Sequence, residues 1–192
     1  KAAFHHVLRI AAGQHATVRL RLTCDRTPGR LDGEFDDVVA GRQREADAFW
    51  HTVFGALPDE QAHVARQAMA GLLASKQYYP YDVRRWLSGD PTQPAPAPGH
   101  ASVRNASWWH MTAQDVILMP DPWEYPWFAA WDLAFHCVAM ALVDPELAKE
   151  QLLLLLHGWY MPPSGDIPAY EWNFSDANPP VQAWAARQIF EI

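Results

Sequence analysis

Apolar and polar positions change period several times along the chain, and each change predicts an element. In Thr17-Val18-Arg19-Leu20-Arg21-Leu22 they alternate one for one, the period of a half-buried strand. Residues 4–10 and 15–23 are therefore expected to be two strands, with Ala12-Gly13-Gln14 as the turn. A lone hairpin is marginal in water, so the pair is expected to be the last piece of a larger sheet. Thr27-Pro28-Gly29 then punctuates the chain. From Glu34 to Phe54 the pattern becomes helical, and Pro58 closes that segment. A second helix is expected from Asp59 to Gln77. Acidic Asp59 and Glu60 sit in its first turn and Val64, Ala68, Met69 and Leu72 form one apolar stripe. Tyr78-Tyr79-Pro80-Tyr81 should end it, because a residue before proline avoids the helical region.

Asp90 to Pro98 holds four prolines in nine residues and predicts an extended loop, of the kind that often borders a functional surface. Residues 101–122 carry no clear period, and Val116-Ile117-Leu118-Met119 fits either a short strand or a buried connector. Pro126 is expected to open a helix over 127–142. Asp144 then reads as an N-cap and Pro145 as the first residue of a helix over 145–160, giving a helical hairpin. A loop over 161–180 and a final helix over 181–190 complete the pattern. It holds no internal sequence repeat, though repeated helix pairs would suit it.

Composition narrows the function classes. The 192 residues carry 15 Lys and Arg against 22 Asp and Glu, a net charge of −7, and the basic residues never cluster beyond Arg84-Arg85. Phosphate backbones need a dense positive field, so nucleic acid is not an expected partner. With 49% hydrophobic and 19% charged residues the chain is expected to fold around a core. The longest apolar run, Leu152 to Leu156, is far short of the roughly 20 residues of a membrane span. No leader pattern precedes the first strand, and two distant cysteines, Cys24 and Cys137, fit a reducing compartment. A cytoplasmic protein without membrane contact is the expectation. The chain starts at Lys1, and its termini are expected to be cuts in a longer protein.

Candidate chemistry concentrates in the second half, where eight of the 10 tryptophans follow residue 100. Trp123, Trp127 and Trp131 are spaced by four. An aromatic core accounts for many of these residues, but tryptophan also lines binding clefts. Asp132 lies within Trp127-Phe128-Ala129-Ala130-Trp131-Asp132-Leu133-Ala134-Phe135-His136, and on a helix Phe128 and His136 would share its face. A carboxyl among aromatics is costly to bury in its charged form, and desolvation favours the protonated state that a general acid needs. The alternative is an aspartate that caps a helix or pairs with an arginine. Met119 to Pro126 and Gly165 to Phe174 likewise set carboxylates, Glu124 and Glu171 among them, between aromatic side chains such as Tyr125 and Tyr170. Sugars are bound by that mixture, although a rigid, well-packed loop has the same composition. The histidines and cysteines show no metal-ligand spacing, and no nucleophile elbow or phosphate-cradling glycine loop occurs, so neither metal nor cofactor is expected.

At these residues the sequence resembles a known group. Trp131-Asp132-x-x-Phe135-His136 is similar to the acid motif of glycoside hydrolase family 63 and the related bacterial mannosylglycerate and glucosylglycerate hydrolases. Met119 to Trp127, Asp144-Pro145 and Ile167 to Trp172 are similar to large bacterial members of this group. The resemblance covers residues 30–192 and is strongest from 105 onward. It implies a mainly α fold: residues 29–192 as the first part of an (α/α)6 barrel, with residues 1–28 as the end of an N-terminal β-sandwich. It further implies an inverting α-glycosidase acting on glucosides or mannosides, with Asp132 as general acid and the general base outside this chain. Trp123, Glu124, Tyr125, Trp127, Trp131, Tyr170 and Glu171 would line the subsite for a sugar or oligosaccharide substrate.

Two other functions fit the same residues. One is a carbohydrate-binding or structural barrel segment without turnover, which the missing base favours. The other is a helical interaction domain whose aromatics are all core. An unclosed barrel would expose apolar helix faces, so self-association or a partner supplying the rest of the barrel is expected.

Overall fold

A computed structural model describes residues 3–24, 31–102, 104–121, 123–162, 164–170 and 178–192. It divides into two compact units, residues 1–52 and 53–192. The described residues are mainly helical, with one two-stranded sheet.

In the first unit the expected turn is present: Gly13 takes a positive φ of 76° and the Gln14 N–H donates to the Ala11 carbonyl at 3.0 Å. The arms on either side, residues 4–10 and 15–23, form no strand ladder, which corrects the expectation of a hairpin. Strand alternation specifies a strand only when one face has something to be buried against. Here Phe4, Ile10, Val18 and Leu20 are all exposed. The sandwich inferred from these residues is therefore not seen among the described residues. Helix α1 spans Gly33–Phe54, as its pattern predicts, and none of its residues is buried. Asp32 starts it, its carbonyl accepting from Phe35 and Asp36. Asp36 pairs with Arg19 at 2.8 Å, an exposed pair contributing at most about 1 kcal/mol.

The second unit contains the core. Helix α2, Asp59–Ala74, follows Pro58 and carries Asp59 and Glu60 in its first turn. It stops three residues earlier than its apolar stripe suggests, because Lys76–Asp82 is strand β1. Its partner β2, Thr112–Leu118, runs antiparallel in the register Lys76↔Leu118 to Asp82↔Thr112. Tyrosines favour the pleated surface, and in a two-stranded sheet every strand is an edge, which tolerates Pro80. Alternate residues of the ladder point inward: Tyr79 and Tyr81 from β1, Ala113 and Ile117 from β2. Short helix α3, Val83–Ser88, follows directly, capped by Asp82 accepting from the Arg85 N–H at 3.0 Å.

Helices α4 (Ala130–Met140), α5 (Pro145–Leu154) and α6 (Val181–Glu191) pack on one another, and α4 also packs on β2. The α4–α5 turn is built as its sequence predicts. The Asp144 carboxylate accepts from the Leu147 N–H at 3.0 Å, and Pro145 opens the helix. Both α4 and α5 are shorter than predicted. Residues 127–129 lie outside the helix, with Ala129 in extended backbone, and after Leu154 the chain turns into a single 3-10 turn, Gly158–Tyr160, that buries Tyr160. Gln151 of α5, only 4% exposed, fastens the free edge of β2. Its carboxamide oxygen accepts from the Leu118 N–H at 3.0 Å while its nitrogen donates to the Val116 carbonyl at 2.9 Å. Phe128, Leu133, Cys137, Met140, Ile117 and Met119 fill the interior between these elements.

Candidate functional site

The fastened end of β2 leads straight into the candidate site. After Leu118 and Met119 enter the core, Pro120 ends the strand and Asp121 forms a tight turn. One oxygen of Asp121 accepts from the N–H groups of both Trp123 and Glu124 at 2.7 Å. Those two bonds hold its carboxyl below the usual range. After the turn the chain runs non-helically to Ala129, whose backbone is extended, and neighbouring side chains go to different sides. Phe128 goes into the core, its ring 5.4 Å from that of Tyr160. Trp127 and Ala129 face a cleft instead. Backbone pairing fixes this segment: Ala129 bridges to Tyr170, and the Ala130 N–H donates to the Ala169 carbonyl at 2.9 Å. Tyr170 is thereby brought beside Ala129, 41 positions earlier in the sequence.

The resulting cleft has a volume of about 410 Å³ and is lined by Pro120, Tyr125, Trp127, Ala129, Trp131, Asp132 and Tyr170. Tyr125 and Trp127 meet edge to face, with ring centroids 5.1 Å apart. Trp131 is 42% exposed, so it is not part of the core. Asp132 sits half-buried in the first turn of α4, where the helix dipole favours negative charge.

Comparison with known proteins adds one relative. No family model matches the chain, and no solved structure matches it. The chain is 44% identical over 201 aligned residues to Uncharacterized protein YMR196W of Saccharomyces cerevisiae. That alignment takes in 99% of this chain but only 18% of the relative. The chain thus corresponds to a minor part of a much longer protein.

Five of the residues singled out from sequence, Tyr125, Trp127, Trp131, Asp132 and Tyr170, line this one cleft. Trp123 does not: it is 83% exposed, and Glu124 beside it is also exposed, with its backbone tied into the Asp121 turn. Glu171 lies outside the described residues, as does Trp172. Phe128 does not share a helix face with Asp132, because α4 begins only at Ala130. His136 does lie one turn beyond Asp132 on α4; burial lowers its pKa and the neighbouring Asp132 opposes that shift. Cys137 packs in the core, where burial pushes its thiol up to about 12, too high for a nucleophile. Among the described residues no three His, Cys, Asp or Glu side chains are placed to hold a metal ion, and no helix is long and apolar enough to cross a membrane. Sequence reasoning missed Ala129 as a lining residue. No local signal marks it: Trp127-Phe128-Ala129 is uniformly apolar, and the bridge that places Ala129 comes from distant Tyr170.

Proposed function

We propose that this cleft is a saccharide site and that Asp132 is the general acid of an inverting α-glycosidase acting on glucosides or mannosides. The observation that carries the reading is the convergence of four aromatic side chains around one half-buried carboxyl. Aromatic faces pack against the apolar face of a pyranose, and the carboxyl is then the group within reach of the glycosidic oxygen. Inversion needs a second carboxylate, roughly 6.5–9.5 Å away, to activate water on the opposite face of the sugar.

In this proposal the base comes from chain beyond the present one, and helices α1 to α6 are the first part of an (α/α)6 barrel. The 18% share of the longer yeast relative supports that arrangement. So do the apolar side chains left on the surface, such as Phe135 and Trp184, whose rings meet 5.5 Å apart, and Phe190 at 91% exposure. A second reading is saccharide binding without turnover by the chain on its own, since inversion needs two carboxylates and, among the described residues, Asp132 is the carboxylate that lines the cleft.

Asp132→Asn separates the two readings. Assayed on aryl α-glucosides and α-mannosides in the protein that carries the whole barrel, it should abolish turnover while saccharide binding survives. Unchanged turnover in the variant would remove Asp132 from the chemistry. Binding without turnover in both proteins would leave the binding reading.

A further inference from the structure

A second cavity, of about 470 Å³, lies at the opposite end of the β1–β2 ladder. Its floor is the end of the sheet, Tyr81 with Ala113 and Gln114, and its walls are Trp86 and Arg85 of α3 and the start of the proline-rich loop. That volume is within the roughly 300–1,000 Å³ typical of small-molecule sites.

The walls are fixed by several independent contacts. Gly89 adopts φ +84°, and a Cβ there would fall 2.7 Å from Pro96, so the loop closes tightly over the helix end. Asp90 accepts from both the N–H and the hydroxyl of Thr92, at 2.9 and 2.8 Å, and pairs with Arg85 at 2.5 Å. These bonds hold its carboxyl down at about 2. The His100 ring lies 4.3 Å from the Trp86 indole, with its Nε2 2.8 Å from the Trp86 carbonyl oxygen. Trp86 nevertheless remains 42% exposed, so a fixed aromatic surface borders the cavity.

The chemistry of the lining excludes most ligand classes. Arg85 is engaged by Asp90, and the one arginine faces two aspartates, which does not suit an anion such as phosphate. The carboxylates are engaged as well: Asp82 caps α3 and Asp90 accepts from Thr92 and Arg85, which does not suit a cation. Gln93 and Gln114 remain. Their carboxamides both donate and accept, which matches hydroxyl groups. An aromatic wall, two carboxamides and charged groups already engaged by neighbouring protein groups are complementary to an uncharged, polyhydroxylated ring.

We propose that this cavity is a second saccharide-binding site, separate from the cleft at Asp132. It does not depend on the catalytic reading of that cleft, since it needs only binding. The test is a titration of the full chain with maltotriose and with methyl α-mannoside, followed residue by residue by NMR, with inorganic phosphate as the charged control. Two groups of residues should shift, one around Gln114 and Gln93 and one around Trp127 and Tyr170. Gln114→Ala and Trp86→Phe, both conservative enough to keep the fold, should each weaken the first group roughly tenfold or more and leave the second unchanged. Trp127→Ala should do the reverse. The proposal is overturned if neither saccharide shifts the Gln114 group, if phosphate shifts it equally, or if Gln114→Ala and Trp86→Phe leave its affinity unaltered. Loss of the Trp127 group alone would count against the glycosidase reading and leave this one standing.

Discussion

Replacing Gln151 by leucine tests whether the end of β2 is fastened from α5 as the structure indicates. The carboxamide is 4% exposed and makes two hydrogen bonds, at 3.0 Å from the Leu118 N–H and at 2.9 Å to the Val116 carbonyl. Leucine conserves approximate volume but satisfies neither group. Leu118 is 1% exposed, so its N–H has no route to water, and an orphaned buried donor costs about 1–3 kcal/mol. The Val116 carbonyl belongs to a half-exposed residue and can be hydrated, so its loss adds at most about 1 kcal/mol. The sum is about 1–4 kcal/mol. At roughly 2–4 °C per kcal/mol for a unit of this size, Tm should fall by about 2–16 °C. Urea and thermal unfolding followed by circular dichroism read this directly. Gln151→Ala, which also opens a small cavity, should cost no less. A Gln151→Leu protein melting within about 1 °C of wild type would mean that the two bonds contribute nothing net, and that β2 is positioned by apolar packing alone.

Three further outcomes follow from other parts of the molecule. Gly89→Ala must hold a side chain at φ +84° with its Cβ against Pro96, and should cost about 1–3 kcal/mol in urea unfolding; a neutral result would mean that the loop shifts freely. His136 has a pKa lowered by burial, so the unfolded chain binds that proton more readily. Stability should therefore fall as pH drops below the ordinary value of 6.5 toward the folded pKa, and His136→Gln should flatten that dependence; parallel curves for the two proteins would count against a buried neutral imidazole. The exposed apolar side chains of α6, Phe190 and Trp184, predict self-association by light scattering, and a strictly monomeric species at high concentration would argue against an uncompleted barrel.

Helix limits set by local chemistry were legible in the sequence. Pro58 before α2, and Asp144-Pro145 before α5, stand where capping and proline rules place them. The grouping of Tyr125, Trp127, Trp131, Asp132 and Tyr170 was legible as composition, though not as geometry. What escaped was set by distant partners. Strand β1 exists because Lys76–Asp82 finds Thr112–Leu118 some thirty residues later, and a local reading sees only a helix that a proline stops. Ala129 is extended and bridges to Tyr170, so the helix begins three residues late and Phe128 turns to the core. The opposite error affected residues 4–23: their alternation is genuine, but without a surface to cover it produces no ladder.

The most direct test of the central claim is a saccharide titration that compares wild type with Trp127→Ala. Methyl α-glucoside or methyl α-mannoside should perturb Tyr125, Trp127, Trp131 and Tyr170 together, and Trp127→Ala, by removing one stacking face, should weaken that response roughly tenfold. If the cleft residues respond to neither sugar at millimolar concentration, or respond equally well without Trp127, the aromatic wall around Asp132 is packing and the saccharide reading is wrong.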